Sequence, residues 1–115
     1  YLWKNSKHSH SFNESLRKAN KTFDPECLEC HTSGFKEGGG FMSVNITPRL
    51  ADVQCEACHG AGSHHVFALM RGNVAEKNKH HELYQKLTKE SCLKCHTKEN
   101  SPEYHFATYW EKIKH

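Results

Sequence analysis

With 115 residues, 36% of them hydrophobic, and a mean hydropathy of −0.85, the chain is one small domain, 1–115, too poor in apolar side chains to stand on its own core. Its formal charge of +3 comes from 16 basic and 13 acidic residues spread along the sequence, which argues against a nucleic-acid arm. No apolar run is long enough for a membrane span and no signal-peptide pattern follows Tyr1, so the expectation is a mature soluble protein or a piece of a longer one.

In chain order, Ser11-Phe12-Asn13-Glu14 has the S-x-x-E form of a capping box and predicts a short helix over 12–21. Asp24-Pro25-Glu26 starts a second helical turn, with Pro at the first helical position. The run from Gly34 to Gly40 reads as a flexible connector. Phe41, Val44 and Ile46 form either a small strand or a cover for an apolar ligand edge, and the latter is favoured. A helix is expected over 51–59, ended by Gly60 and Gly62. Leu83, Tyr84 and Leu87 recur at helical spacing within 76–89, and Phe106, Tyr109, Trp110 and Ile113 form one stripe within 102–113. The fold class is mostly α, short helices and long loops with little or no β-sheet.

The six cysteines form three pairs, Cys27/Cys30, Cys55/Cys58 and Cys92/Cys95, each followed by a histidine: His31, His59 and His96. With His at about one residue in ten, all three pairs gain that His by chance roughly once in a thousand such sequences. The spacing has a chemical reason. Two thiols three positions apart add to the two vinyl groups of one haem, and the adjacent imidazole ligates the iron. On a helical turn, positions i, i+3 and i+4 share a face. The expectation is therefore three covalent c-type haems with iron, around which the short helices are organised. Structural zinc leaves one C-x-x-C pair over and the three histidines unexplained. The segment Cys55–Gly62 matches the C-x-x-C-x-G-x-G repeat of Hsp40-type zinc domains, but Cys27 and Cys92 lack those glycines. A disulfide framework does not require the strict pairing with a trailing His.

Eight histidines remain for the far side of the irons: His8, His10, His64, His65, His80, His81, His105 and His115. Only Met42 and Met70 compete with them, so bis-His ligation is favoured by supply.

The opening Tyr1–Phe12 (Y-L-W-K-N-S-K-H-S-H-S-F), the centre Cys55–Val66 (C-E-A-C-H-G-A-G-S-H-H-V) and the ending Asn100-Ser101-Pro102, Tyr109-Trp110, Ile113-Lys114-His115 resemble the tetraheme cytochrome c family typified by the electron acceptor of hydroxylamine oxidoreductase. The resemblance implies His8 as a distal ligand with His10 in reserve, His65 rather than His64, and His115 rather than His105. The apolar stripe before His115 would carry it to the nearest iron in sequence, that of the haem on Cys92 and Cys95. The family also places a further C-x-x-C-H just upstream of the Y-x-x-W-K segment. Its absence here implies either a lost haem or a longer native chain. If the counterpart of His65 serves that upstream haem, the haem on Cys27 and Cys30 is five-coordinate.

Function then reads first as electron transfer between redox-protein donors and acceptors, with no nucleic acid and no membrane span involved. The second reading is a nitrogen-oxide or other small-molecule redox enzyme at a five-coordinate haem. The third is a subunit of an extracellular filament, self-assembled through haem–haem contacts or shared His ligation. Thioether attachment takes place outside the cytoplasm, which places the protein in the periplasm or beyond.

Overall fold

A computed structural model of the chain describes residues 2–71 and 87–115, without the side chains of His64, His65, Ala68 and Leu69. The chain is helix-rich, and no strand occurs among the described residues; Thr32 and Ala51 form an isolated antiparallel bridge. It opens with two 3₁₀ turns, Trp3–Asn5 and Lys7–His10, and a π-helical turn, Ser11–Leu16. The α-helices are α1 (Pro25–His31), α2 (Cys55–His59), α3 (Ser63–Met70), α4 (Lys89–Leu93) and α5 (Phe106–Ile113), with a further 3₁₀ turn at Pro48–Leu50.

Helix α1 starts as its sequence dictates. Asp24 caps it by accepting the Glu26 amide at 3.1 Å, and Pro25 fills the first position. Seven residues are too few for a stable isolated helix, so α1 depends on the burial of Leu28. The first helix differs from expectation. The Ser11 hydroxyl makes no capping box; it donates to the His31 carbonyl at 3.0 Å and accepts the Val53 amide at 3.1 Å. Tertiary partners outcompete the local one, and the turn is π-helical from Ser11 to Leu16.

The Gly34–Gly40 segment is a closed loop rather than a flexible connector. Phe41 donates its amide to the Ser33 carbonyl at 2.9 Å, and a side chain at Gly40 would run into the backbone of Gly34. Helix α2 is shorter than expected because Ala51–Gln54 is held outside it by long-range bonds. The helix expected over 102–113 begins only at Phe106. Helix α3 follows the glycines that read as a stop. Leu83 and Tyr84 lie outside the described residues, as do His80 and His81.

The buried apolar side chains are Phe12, Leu16, Leu28, Phe41 and Ala51, all in the first half of the chain. Phe41 packs on Phe12 with ring centroids 5.4 Å apart and belongs to this core, and both rings line a cavity with Val44; Ile46 is exposed. Helices α4 and α5 bury no residue.

Asp52 ties the core to the opening segment. Its carboxylate accepts the Phe12 amide at 2.7 Å, the Asn13 amide at 3.0 Å and the Asn13 side-chain amide at 2.6 Å. The residue is buried and adopts φ 69°, a left-handed conformation that Asp tolerates. Asp52→Ala strands these donors, and the expected cost is about 3 kcal/mol, read as a lowered urea midpoint of the holoprotein.

Candidate haem centres

Helix α1 presents Cys27, Cys30 and His31 on one face, and α2 does the same with Cys55, Cys58 and His59. In the third motif the helix ends at Leu93, yet the Cys92 carbonyl still accepts from the Cys95 amide at 3.2 Å and the His96 amide at 2.9 Å. Each C-x-x-C-H unit is thus one turn. The cysteines are free thiols, contrary to a disulfide framework. Burial, with Cys30 beside it and Cys58 near, pushes the Cys95 thiol up to about 12. Burial, with Cys92 and Cys55 nearby, also raises Cys58. The three motifs therefore converge, though no group of three or more His, Cys, Asp or Glu side chains forms a metal-ion site among the described residues.

Ring nitrogens are held selectively. The His31 Nδ1 lies 2.9 Å from the Ser11 carbonyl and the His115 Nδ1 lies 3.1 Å from that of Ile113. A carbonyl only accepts, so Nδ1 carries the proton in both, and Nε2 keeps its lone pair for a metal. His96 Nδ1 is 2.9 Å from the Ser101 hydroxyl.

Two imidazole pairs face each other. His8 meets His96 with ring centroids 6.0 Å apart and planes at 62°. His115 meets His59 at 5.7 Å and 65°. Burial lowers the pKa of His8, with His96 adding to it. Burial also lowers His59, with His115 adding to it, and it lowers His96. These shifts favour the neutral, ligating form.

His8 is placed by its backbone: its carbonyl accepts the Val53 amide at 3.0 Å, and the Trp3 indole donates to the Val53 carbonyl at 2.7 Å. The chain end brings the His115 ring against His59, whereas the sequence expectation took it to the haem whose proximal ligand is His96.

The reserve residues stand apart. His10 is exposed beside Glu14 at 3.9 Å, and His105 is exposed with Thr108 at 3.4 Å. His64 and His65 lie on α3, their side chains outside the described residues. Opposite His31 no second imidazole is in ring contact among the described residues. Of the residues that touch the proximal histidines, Ser11 was read as a helix cap and Ser101 only as part of the family resemblance, while Tyr104 carried no signal of its own.

The residues fit a haem. A metal held between two imidazoles by bonds of about 2 Å sets the ring centroids about 6 Å apart, the spacing of both pairs. Helix α5 leaves Phe106, Tyr109, Trp110 and Ile113 half-buried beside these pairs, and no core of described residues covers them. The Tyr104 hydroxyl is buried without a hydrogen-bond partner, a polar atom that a bound group could satisfy.

Paired thiols on helical turns with ligand-ready imidazoles define a c-type cytochrome. The family described as cytochrome c554 and c-prime matches residues 1–60, and the chain belongs to that family. The chain is 44% identical to cytochrome c-554 of Nitrosomonas europaea over 41 residues, which is 36% of this chain and 17% of that relative. No solved structure matches the chain. Among the described residues no helix is long and apolar enough to cross a membrane.

Proposed function

We propose that the chain is an electron-transfer module carrying three covalent haems. They are attached at Cys27/Cys30, Cys55/Cys58 and Cys92/Cys95, with His31, His59 and His96 as proximal ligands. The observation that supports this reading best is the facing of His8 on His96 and of His115 on His59 at metal-bridging distance. When bound, each haem supplies a one-electron ferric–ferrous couple. The chain's own residues hold His31, His96 and His115 through Nδ1, would supply an imidazole to either side of two haems, and bring the three motifs together. Closed axial sites favour a carrier over a catalyst. Redox proteins are its donors and acceptors, and the attachment chemistry places it in the periplasm or outside the cell.

A second reading starts from His31, which has no imidazole in ring contact among the described residues. A five-coordinate haem there would admit a small ligand, and His65 of α3 is the residue the family resemblance offers to close it.

Intact mass under denaturing conditions and an optical spectrum test the proposal together. The mass is expected to exceed the 13.3 kDa polypeptide by three haems of about 0.6 kDa each. A mass without haem overturns it. Carbon monoxide binding to one ferrous haem in three would move the assignment to the second reading.

A further inference from the structure

His96 is held differently from His31. At His31 the Nδ1 partner is a backbone carbonyl, whereas at His96 it is the Ser101 hydroxyl at 2.9 Å. The Tyr104 ring lies parallel to the His96 imidazole, with centroids 4.7 Å apart and planes at 13°. Tyr109 meets the same imidazole edge-on at 5.6 Å and meets Tyr104 at 4.9 Å. The backbone makes this arrangement by turning back on itself: the Ser101 amide donates to the Thr97 carbonyl at 2.8 Å and the Tyr104 amide to that of Ser101 at 2.9 Å.

The Tyr104 hydroxyl is the unusual feature. Burial, with the Cys92 sulfur beside it, pushes the phenol up to about 12, yet no hydrogen bond of ordinary geometry reaches the oxygen. Packing an aromatic ring against His96 does not require a buried hydroxyl; phenylalanine would serve and would bury no polar atom. The hydroxyl is aimed at the motif that Cys92 opens.

We propose that Ser101 and Tyr104 are positioning residues that set the potential of the third-motif haem. Ser101 accepts a hydrogen bond from Nδ1 of His96, and Tyr104 fixes the imidazole plane while holding its hydroxyl beside Cys92, the residue that would attach the haem. This rests on the three-haem reading above. An acceptor at Nδ1 makes the imidazole a stronger electron donor and favours the ferric state. A hydroxyl dipole turned toward the attachment sulfur would favour the electron-richer ferrous state. The two residues therefore act in opposite directions on one couple.

Spectroelectrochemical titration of the holoprotein, with low-temperature electron paramagnetic resonance of the ferric state, tests this on Ser101→Ala, Ser101→Thr and Tyr104→Phe. In Ser101→Ala one of three midpoint potentials is expected to shift upward while two stay in place, and Ser101→Thr restores it. In Tyr104→Phe the same potential shifts downward, with the low-spin signals retained because the ring still stacks. If Ser101→Ala and Tyr104→Phe leave all three potentials at their wild-type values, or if threonine does not restore the first shift, the clamp is overturned while the carrier reading stands. A wild-type chain that does not carry three haems overturns the carrier reading, and the clamp with it.

Discussion

Synthesised without haem attachment, the polypeptide is expected to lose its fixed tertiary structure, with weak near-ultraviolet circular dichroism and no cooperative transition in urea. The reason lies in how the apolar contacts are distributed. The core of Phe12, Leu16, Leu28, Phe41 and Ala51 serves the opening turns, α1 and the loops to residue 51. Among the described residues nothing comparable serves the C-terminal part, where α4 and α5 bury no residue. Fixing each backbone residue costs about 1–2 kcal/mol, and five- and eight-residue helices do not persist in water on hydrogen bonds alone.

The burial that offsets this cost must come from a large apolar body between the helices, and a haem face is such a body. Replacing all six cysteines with serine should reproduce the same state in cells competent for attachment. A cooperative, native-like urea transition of the haem-free chain would contradict this account.

What the sequence disclosed follows the range of the interactions. The C-x-x-C-H units were legible because their chemistry is local, confined to one helical turn, and the start of α1 was legible because Asp24 and Pro25 act on the next few residues. The helix expected from Ser11 and Glu14 was misread since the Ser11 hydroxyl is taken by His31 and Val53, 20 and 42 residues away. No local pattern announces such partners. The contact of Phe41 with Phe12, distant in sequence, is hidden for the same reason. The link of Ser101 and Tyr104 to His96 was hidden because serine and tyrosine in a loop have many uses, and only their placement against the imidazole singles them out. His8 and His115 emerged from the sequence through the family resemblance, but their partners among the proximal histidines did not, because sequence distance is a poor guide to which helix end meets which turn.

The axial pairing leads to the sharpest single-residue prediction. His115→Ala is expected to convert one ferric haem in three from low-spin to high-spin and raise its potential, and that haem is the one on Cys55 and Cys58. His8→Ala is expected to do the same to the haem on Cys92 and Cys95. The ring geometry carries both expectations, for His115 lies 5.7 Å from His59 and His8 lies 6.0 Å from His96.

Removing a distal imidazole leaves the proximal one in place, so the haem stays attached and the change appears in the spectrum rather than in the mass. His105→Ala should be silent, since the Nδ1 of His105 contacts Thr108 of the following helix and its ring meets no proximal histidine among the described contacts. The assignment to individual haems is made in a background without the second attachment site, Cys55→Ser with Cys58→Ser. There His115→Ala should have no effect on the remaining haems, while His8→Ala still produces a high-spin signal. If His115→Ala produces a high-spin haem in that background, the chain end serves His96, as proximity in sequence suggests, and the pairing drawn from the ring contacts is wrong.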